Sequence, residues 1–182
     1  MDISRGIRRC NQVLKIIITG PESSGKTTLC SQLSTYFKYP LVSEYAREYI
    51  DQLDRSYNKD DLLEISKEQR NREFSGGKIL LCDTDLITIK IWSLFKYNSC
   101  DEKIIDQIEM QKLEDRFYIL CEPSIPWKKD NQRENPNDRE RIFELYKKEL
   151  DSLKYNYIIV NGSENARLEK CTKVIQEITK YI

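Results

Sequence analysis

The residues most able to do chemistry lie in one run, GPESSGKTT at 20–28, which carries the pattern G-x-x-x-x-G-K-[ST]. A triphosphate needs several donors converging on its oxygens at the positive end of a helix, and such a run supplies them as backbone amides. Gly20 and Gly25 permit turns and close approach that a Cβ would block. Glu22, Ser23 and Ser24 form the rest of the cradle, Lys26 reaches the β and γ phosphates, and the Thr27 hydroxyl is placed for magnesium. Thr28 would face the α-phosphate. A nucleoside triphosphate with Mg2+ is therefore the expected ligand.

Such a run needs a strand before it and a helix after it. Residues 13–19 are almost wholly apolar and β-branched, as a buried parallel strand should be, and Leu29, Leu33 and Tyr36 or Phe37 follow at helical spacing. Further apolar runs at 39–42, 78–83, 117–121 and 157–160 read as strands. Between them, helical spacing appears after Glu44, from an Asn58 cap to Phe74, over 85–97, over 101–113 with Ser99 and Glu102 as a capping box, from Ile142 to Leu150 and over 166–182. Gly76-Gly77 breaks the third of these helices.

This alternation predicts a three-layer α/β P-loop fold: a five-stranded, mainly parallel sheet with helices on both faces, in one domain over 1–182. Residues 1–11 are a short extension and 127–141 a lid. Parallel strands joined by right-handed crossovers place ligands at their carboxyl ends. Gly20, Glu44, Asp83 and the residues after Cys121 fall at such ends.

Asp83 closes an apolar strand, where a carboxylate holds magnesium or its water shell opposite Thr27; the bland alternative, for it and for Asp85, is a helix cap. Glu44 is the general-base candidate and Arg47 a substrate or phosphate contact, unless the two merely form an exposed i,i+3 ion pair. Arg133 is the arginine expected to act from the lid, while Arg139 and Arg141 equally suit the start of the next helix. Trp127 either stacks on a flat ring or anchors the lid.

The 182 residues include 30 basic and 30 acidic side chains, 33% charged and 39% hydrophobic. That balance supplies no global field for nucleic acid, and no apolar run approaches the roughly 20 residues a membrane span needs. The six cysteines form no C-x-x-C pair and there is no histidine, which argues against zinc and against any histidine base. A reducing cytoplasm is the expected setting.

GPESSGKTT at 20–28, EYAREY at 44–49, CDTDLIT at 82–88 and the segment from Trp127 through Asp130 to Arg133 together resemble the kinase domain of NadR-type nicotinamide riboside kinases, over most of the chain. The resemblance implies transfer of ATP's γ-phosphate to the 5′-hydroxyl of nicotinamide riboside, giving nicotinamide mononucleotide. Lys26, Thr27 and Asp83 would then serve ATP and magnesium, and Glu44 would be base or ribose ligand. Tyr45, Arg47, Asp85, Trp127 and Asp130 would contact the substrate, and Arg133 would act from the lid. Some relatives carry an aromatic residue directly before the E-Y-x-R-E motif. Ser43 stands there in this chain, leaving Tyr45, Tyr49 or Trp127 to stack on the pyridine ring. Bifunctional members also carry an adenylyltransferase domain with a histidine-containing motif, which these residues lack. The competing readings are a kinase for another nucleoside or nucleotide and a non-catalytic nucleotide-binding regulatory module. The expected partner is a small-molecule nucleoside.

Overall fold

The computed structural model describes residues 12–74, 77–130 and 132–182. The expected extension at 1–11, Cys10, Gly76 and lid residue 131 lie outside them.

Five strands form one sheet in the order β2-β3-β1-β4-β5, and every pairing is parallel. They are β1 (Leu14–Thr19), β2 (Leu41–Val42), β3 (Ile79–Asp83), β4 (Arg116–Cys121) and β5 (Asn156–Val160). The helices are α1 (Lys26–Phe37), α2 (Tyr45–Asp51), α3 (Lys59–Arg72), α4 (Leu86–Tyr97), α5 (Glu102–Gln111), α6 (Arg139–Ser152) and α7 (Glu164–Thr179).

The period of two along the strands divides the core. Ile16, Ile18, Leu81, Ile119 and Cys121 face α1 and α7, where they meet Leu29, Leu33, Cys171 and Ile175. On the other face, Ile17, Leu80, Cys82 and Leu120 meet Ile87 and Ile91 of α4 and Phe143 and Tyr146 of α6. A third cluster packs α2, α3 and α5 over α4 through Ala46, Leu62, Ile65, Leu86, Ile89, Ile104 and Ile108. Among the described residues, no helix is long and apolar enough to cross a membrane.

Local chemistry sets the boundaries. Asn58 and Asp61 form a reciprocal capping box that starts α3. The box expected at Ser99 and Glu102 is displaced: Asp101 caps α5 by accepting from the Lys103 amide, and Ser99 bonds Lys59 instead. Asp lies next to the first helical turn, and its shorter reach to that amide suits it better than a serine two residues earlier. Ser163 likewise caps α7, which starts at Glu164, two residues before the expected 166. The lid is shorter than expected, because α6 already begins at Arg139.

Because β1 lies between β3 and β4, the chain crosses to opposite sides on leaving it, and a crevice opens at the strands' carboxyl ends. Gly20 turns there at φ +138°, with its Cα against β4. A Cβ would sit 2.5 Å from the Cys121 carbonyl oxygen, so this position requires glycine.

Candidate active site

The loop after β1 ends in Gly25, left-handed at φ 82°, which caps α1 without a side-chain hydrogen bond to the helix. The first amides of α1 are thus left for a ligand at the helix's positive end. Lys26, the first helical residue, donates from Nζ to the Pro21 carbonyl at 3.0 Å, folding back across the loop. Ser23 to Thr28, with Glu22, line one side of a cleft.

Glu44 lines the same cleft from the N-cap of α2 and is buried to 9% exposure. Asp83, at 3% exposure, ends β3 beside the Thr27 side chain, while its Oδ1 finds no partner among the described residues. Burial pushes both carboxyls up. Lys26 opposes the rise in each, and the charge of Asp83 adds to it in Glu44. Arg47 is 3.4 Å from Glu44, closing the i,i+3 pair, but its partner is buried rather than surface-bound. The ion pair therefore forms inside the cleft, with Glu44 buried, and not as an exposed pair on the helix surface.

The segment after β4 folds over these groups. Asp130 accepts from Arg47 at 3.3 Å and lies 3.9 Å from Arg133, whose Nη1 donates to the Lys128 carbonyl. Asn135 donates from its amide and from Nδ2 to the Glu22 carboxylate at 3.2 and 3.3 Å. Glu134 accepts from Lys96 at 2.9 Å and from the Tyr57 hydroxyl at 3.1 Å. Arg133, Glu134 and Asn135 line the cleft. Arg139, though helical, turns back to the phosphate loop, donating to the carbonyls of Ser23 at 3.3 Å and Ile125 at 2.8 Å. Arg141 instead lies over the Phe95 ring.

Five expected site residues are placed elsewhere. Asp85 is fully buried: its carboxylate accepts from Arg116, Tyr118 and Gln111 and caps α4 through the Ile87 amide. Thr84, left-handed at φ 71°, turns the chain between Asp83 and Asp85 and sends the second carboxylate beneath the sheet. Tyr45 packs on α3 with the Arg72 guanidinium 4.3 Å over its ring, the Tyr49 hydroxyl donates to Asp61, and neither residue lines the cleft. Trp127 is half-buried beside Arg139 at the lid's root, the anchoring alternative. Gly20 is pressed against β4 rather than lining the cleft.

In place of those rings, Tyr57 and the Trp92, Phe95 and Lys96 face of α4 wall the far end of the cleft, with Ile50, Ile91 and Ile142. The sequence carried the spacing of that α4 face but not its direction, because a helix with apolar residues on most sides reads as core. Arg167 was not anticipated either, and it grips the Ser24 carbonyl from α7.

The model of a family described as AAA domain matches residues 15–167, and the chain belongs to that family. The sheet order and the loop-to-helix cradle define its fold as that of P-loop kinases. The trifunctional NAD biosynthesis/regulator protein NadR of Escherichia coli is 24% identical over 178 residues, covering 91% of this chain and 43% of the relative. The chain thus spans less than half the length of the curated relative it matches. A crystal structure of NadR protein in complex with NR is similar with a TM-score of 0.68 at 19% identity, over 93% of this chain and 52% of the other. Deoxyadenosine kinase from M. mycoides gives 0.65 at 16%, over 91% and 100%.

Proposed function

We propose that this chain is an ATP-dependent small-molecule kinase that phosphorylates the 5′-hydroxyl of nicotinamide riboside, a step of NAD salvage in the cytoplasm. The observation that carries the reading is Glu44: a buried carboxylate that lines the same cleft as the phosphate loop and feels the charges of both Lys26 and Asp83. A carboxyl raised by burial is a stronger base than an exposed one, and its position suits it to a hydroxyl brought against the γ-phosphate. Support comes from NadR at 24% identity and from the NadR structure whose ligand is NR.

In this reading Lys26 and the first amides of α1 hold the β and γ phosphates in line with the acceptor. The acceptor oxygen forms its bond to the γ-phosphorus as the bond to the β–γ bridging oxygen breaks; the hydroxyl proton passes to Glu44 and ADP leaves. Arg47 and Arg133 face the charge that builds on the transferring group. The residues suit magnesium: Thr27 and Asp83 adjoin, and Asp83 keeps a buried oxygen without a partner. No group of three or more potential ligands is found among the described residues, which fits an ion held mainly by phosphate and water. When bound, magnesium would neutralise charge on the β and γ oxygens.

A second reading, a kinase for another nucleoside or nucleotide, is favoured by the far wall of Tyr57, Trp92 and Phe95, which takes the place of the rings expected around EYAREY. ADP release from Mg-ATP, alone and with nicotinamide riboside, nicotinic acid riboside, ordinary nucleosides or their monophosphates, separates the two. Stimulation by nicotinamide riboside is the expected result. Stimulation by a different acceptor alone transfers the assignment to it, and ATP binding with no stimulation makes the chain a nucleotide-binding regulatory module.

A further inference from the structure

Arg167 lies in the first turn of α7 and is only 2% exposed. Its guanidinium donates to four acceptors on three loops: from Nε to the Gly162 carbonyl at 3.0 Å, from Nη1 to the Ser24 carbonyl at 2.5 Å, and from Nη2 to the Glu122 carbonyl at 3.1 Å and Ser124 Oγ at 2.8 Å. All four are uncharged. Among the described residues no carboxylate lies in ion-pair range of it. Buried arginines are ordinarily paired with an acid, so an unneutralised one beneath an anion site is informative.

The geometry adds direction to the charge. A trans peptide is planar, with its C=O and N–H pointing opposite ways, and no described peptide bond is cis. With the Ser24 carbonyl fixed on the guanidinium, the N–H of the same unit, that of Gly25, points away from Arg167. Gly25 lines the cleft. The guanidinium also polarises that amide and makes it a stronger donor. The same hold fixes the phosphate loop to the root of the lid at 122–124 and to the turn after β5.

We propose that Arg167 is a positioning residue of the phosphate site: it holds the Ser24–Gly25 peptide with its amide toward the anion and supplies a buried positive charge beneath it, without touching the ligand. The proposal rests on the reading that the loop binds a nucleoside triphosphate.

The test measures dissociation constants for ATP, ADP and AMP with wild type, Arg167→Met and Arg167→Lys, alongside each chain's melting temperature. Wild type that fails to bind ATP refutes the nucleotide reading itself, before any variant is compared. With wild type binding, Arg167→Met is expected to lose about tenfold or more in affinity for ATP and ADP, the scale of one charged hydrogen bond, and clearly less for AMP. Arg167→Lys keeps the charge, but one ammonium cannot hold all four acceptors, so its loss is intermediate. Should Arg167→Met not fold, the lysine variant carries the comparison. Equal losses for all three nucleotides, or a lowered melting temperature with nucleotide affinities intact, would overturn the proposal and leave Arg167 a structural clasp.

Discussion

Two groups of charged side chains flank the sheet, and they are built on opposite terms. Beneath it, Lys15 of β1, Arg70 and Glu73 near the end of α3, Glu114, Arg116 of β4 and Asp85 make one network in which each cation meets a carboxylate. Three cations face three acids. Arg116 has no exposed side-chain area and touches Glu73, Asp85 and Glu114 together. In the cleft and just beneath its lining, by contrast, Lys26 bonds a carbonyl, Asp83 keeps an unpartnered oxygen, and Glu44 has one ion-pair contact at 3.4 Å. The network is matched in charge, although Glu73 Oε1 lacks a partner, whereas the desolvated groups of the cleft are left unmatched, where a ligand completes the set.

Carboxyl behaviour sharpens the contrast. Despite burial, which alone would raise it, the hydrogen bond from Arg70 with the charges of Arg116 and Lys15 holds Glu114 down at about 2. Burial raises Glu44 and Asp83, and their cationic neighbours do not cancel it. Asp85 is the exception within the network: burial raises it to about 6 even with Arg116 and the Tyr118 hydroxyl against it.

The largest effect separating the two groups is expected from Arg116→Met. It leaves Glu73 and Asp85 buried without their main counter-ion and should cost about 3–5 kcal/mol of stability in urea unfolding. Turnover per folded molecule should change little. Equal damage to turnover would tie the lower network to the chemistry.

Next comes the pH dependence of stability. Glu114 has a folded-state value below its ordinary 4.5, so its contribution is present above 4.5 and is lost as pH falls toward about 2. Asp85 is raised from 3.8 to about 6, so stability is greatest below 3.8 and declines as pH rises through 6; Glu44 and Asp83 act in the same direction. Urea midpoints measured from pH 2 to 7 should therefore fall on both sides of about pH 4–5. Glu114→Gln should flatten the acid limb and Asp85→Asn the upper one. Unchanged limbs would contradict the assignment.

The smallest effect is expected at the lid. Glu134→Ala removes acceptors for Lys96 and Tyr57 that are partly exposed, a loss of about 1 kcal/mol or less. It should raise the acceptor KM by up to about fivefold with kcat nearly constant. A large fall in kcat would place Glu134 in the chemistry.

What the sequence disclosed follows from how local each signal is. The phosphate loop, Glu44 and Asp83 were legible as candidates because each lies at or just past the end of a recognisable strand, and strand ends converge by topology. The lid was legible as a polar run after β4, although its Arg139 belongs to α6. Asp85 was not, because its direction depends on one left-handed residue, Thr84, and on Arg116 and Tyr118 some thirty positions later. Tyr45 was lost to the cation above its ring, and Trp92 and Phe95 were hidden by apolar neighbours. Long-range partners, not residue types, decided these cases.

The most direct test of the cleft as a kinase site compares wild type with Glu44→Gln, measuring acceptor-stimulated ADP release and ATP affinity on the same samples. The expected result is ATP affinity within about threefold of wild type with stimulated turnover lower by about 10²–10⁴-fold, the range for loss of a general base. Glu44→Gln with wild-type turnover and intact ATP binding would contradict the assignment of Glu44 as the base.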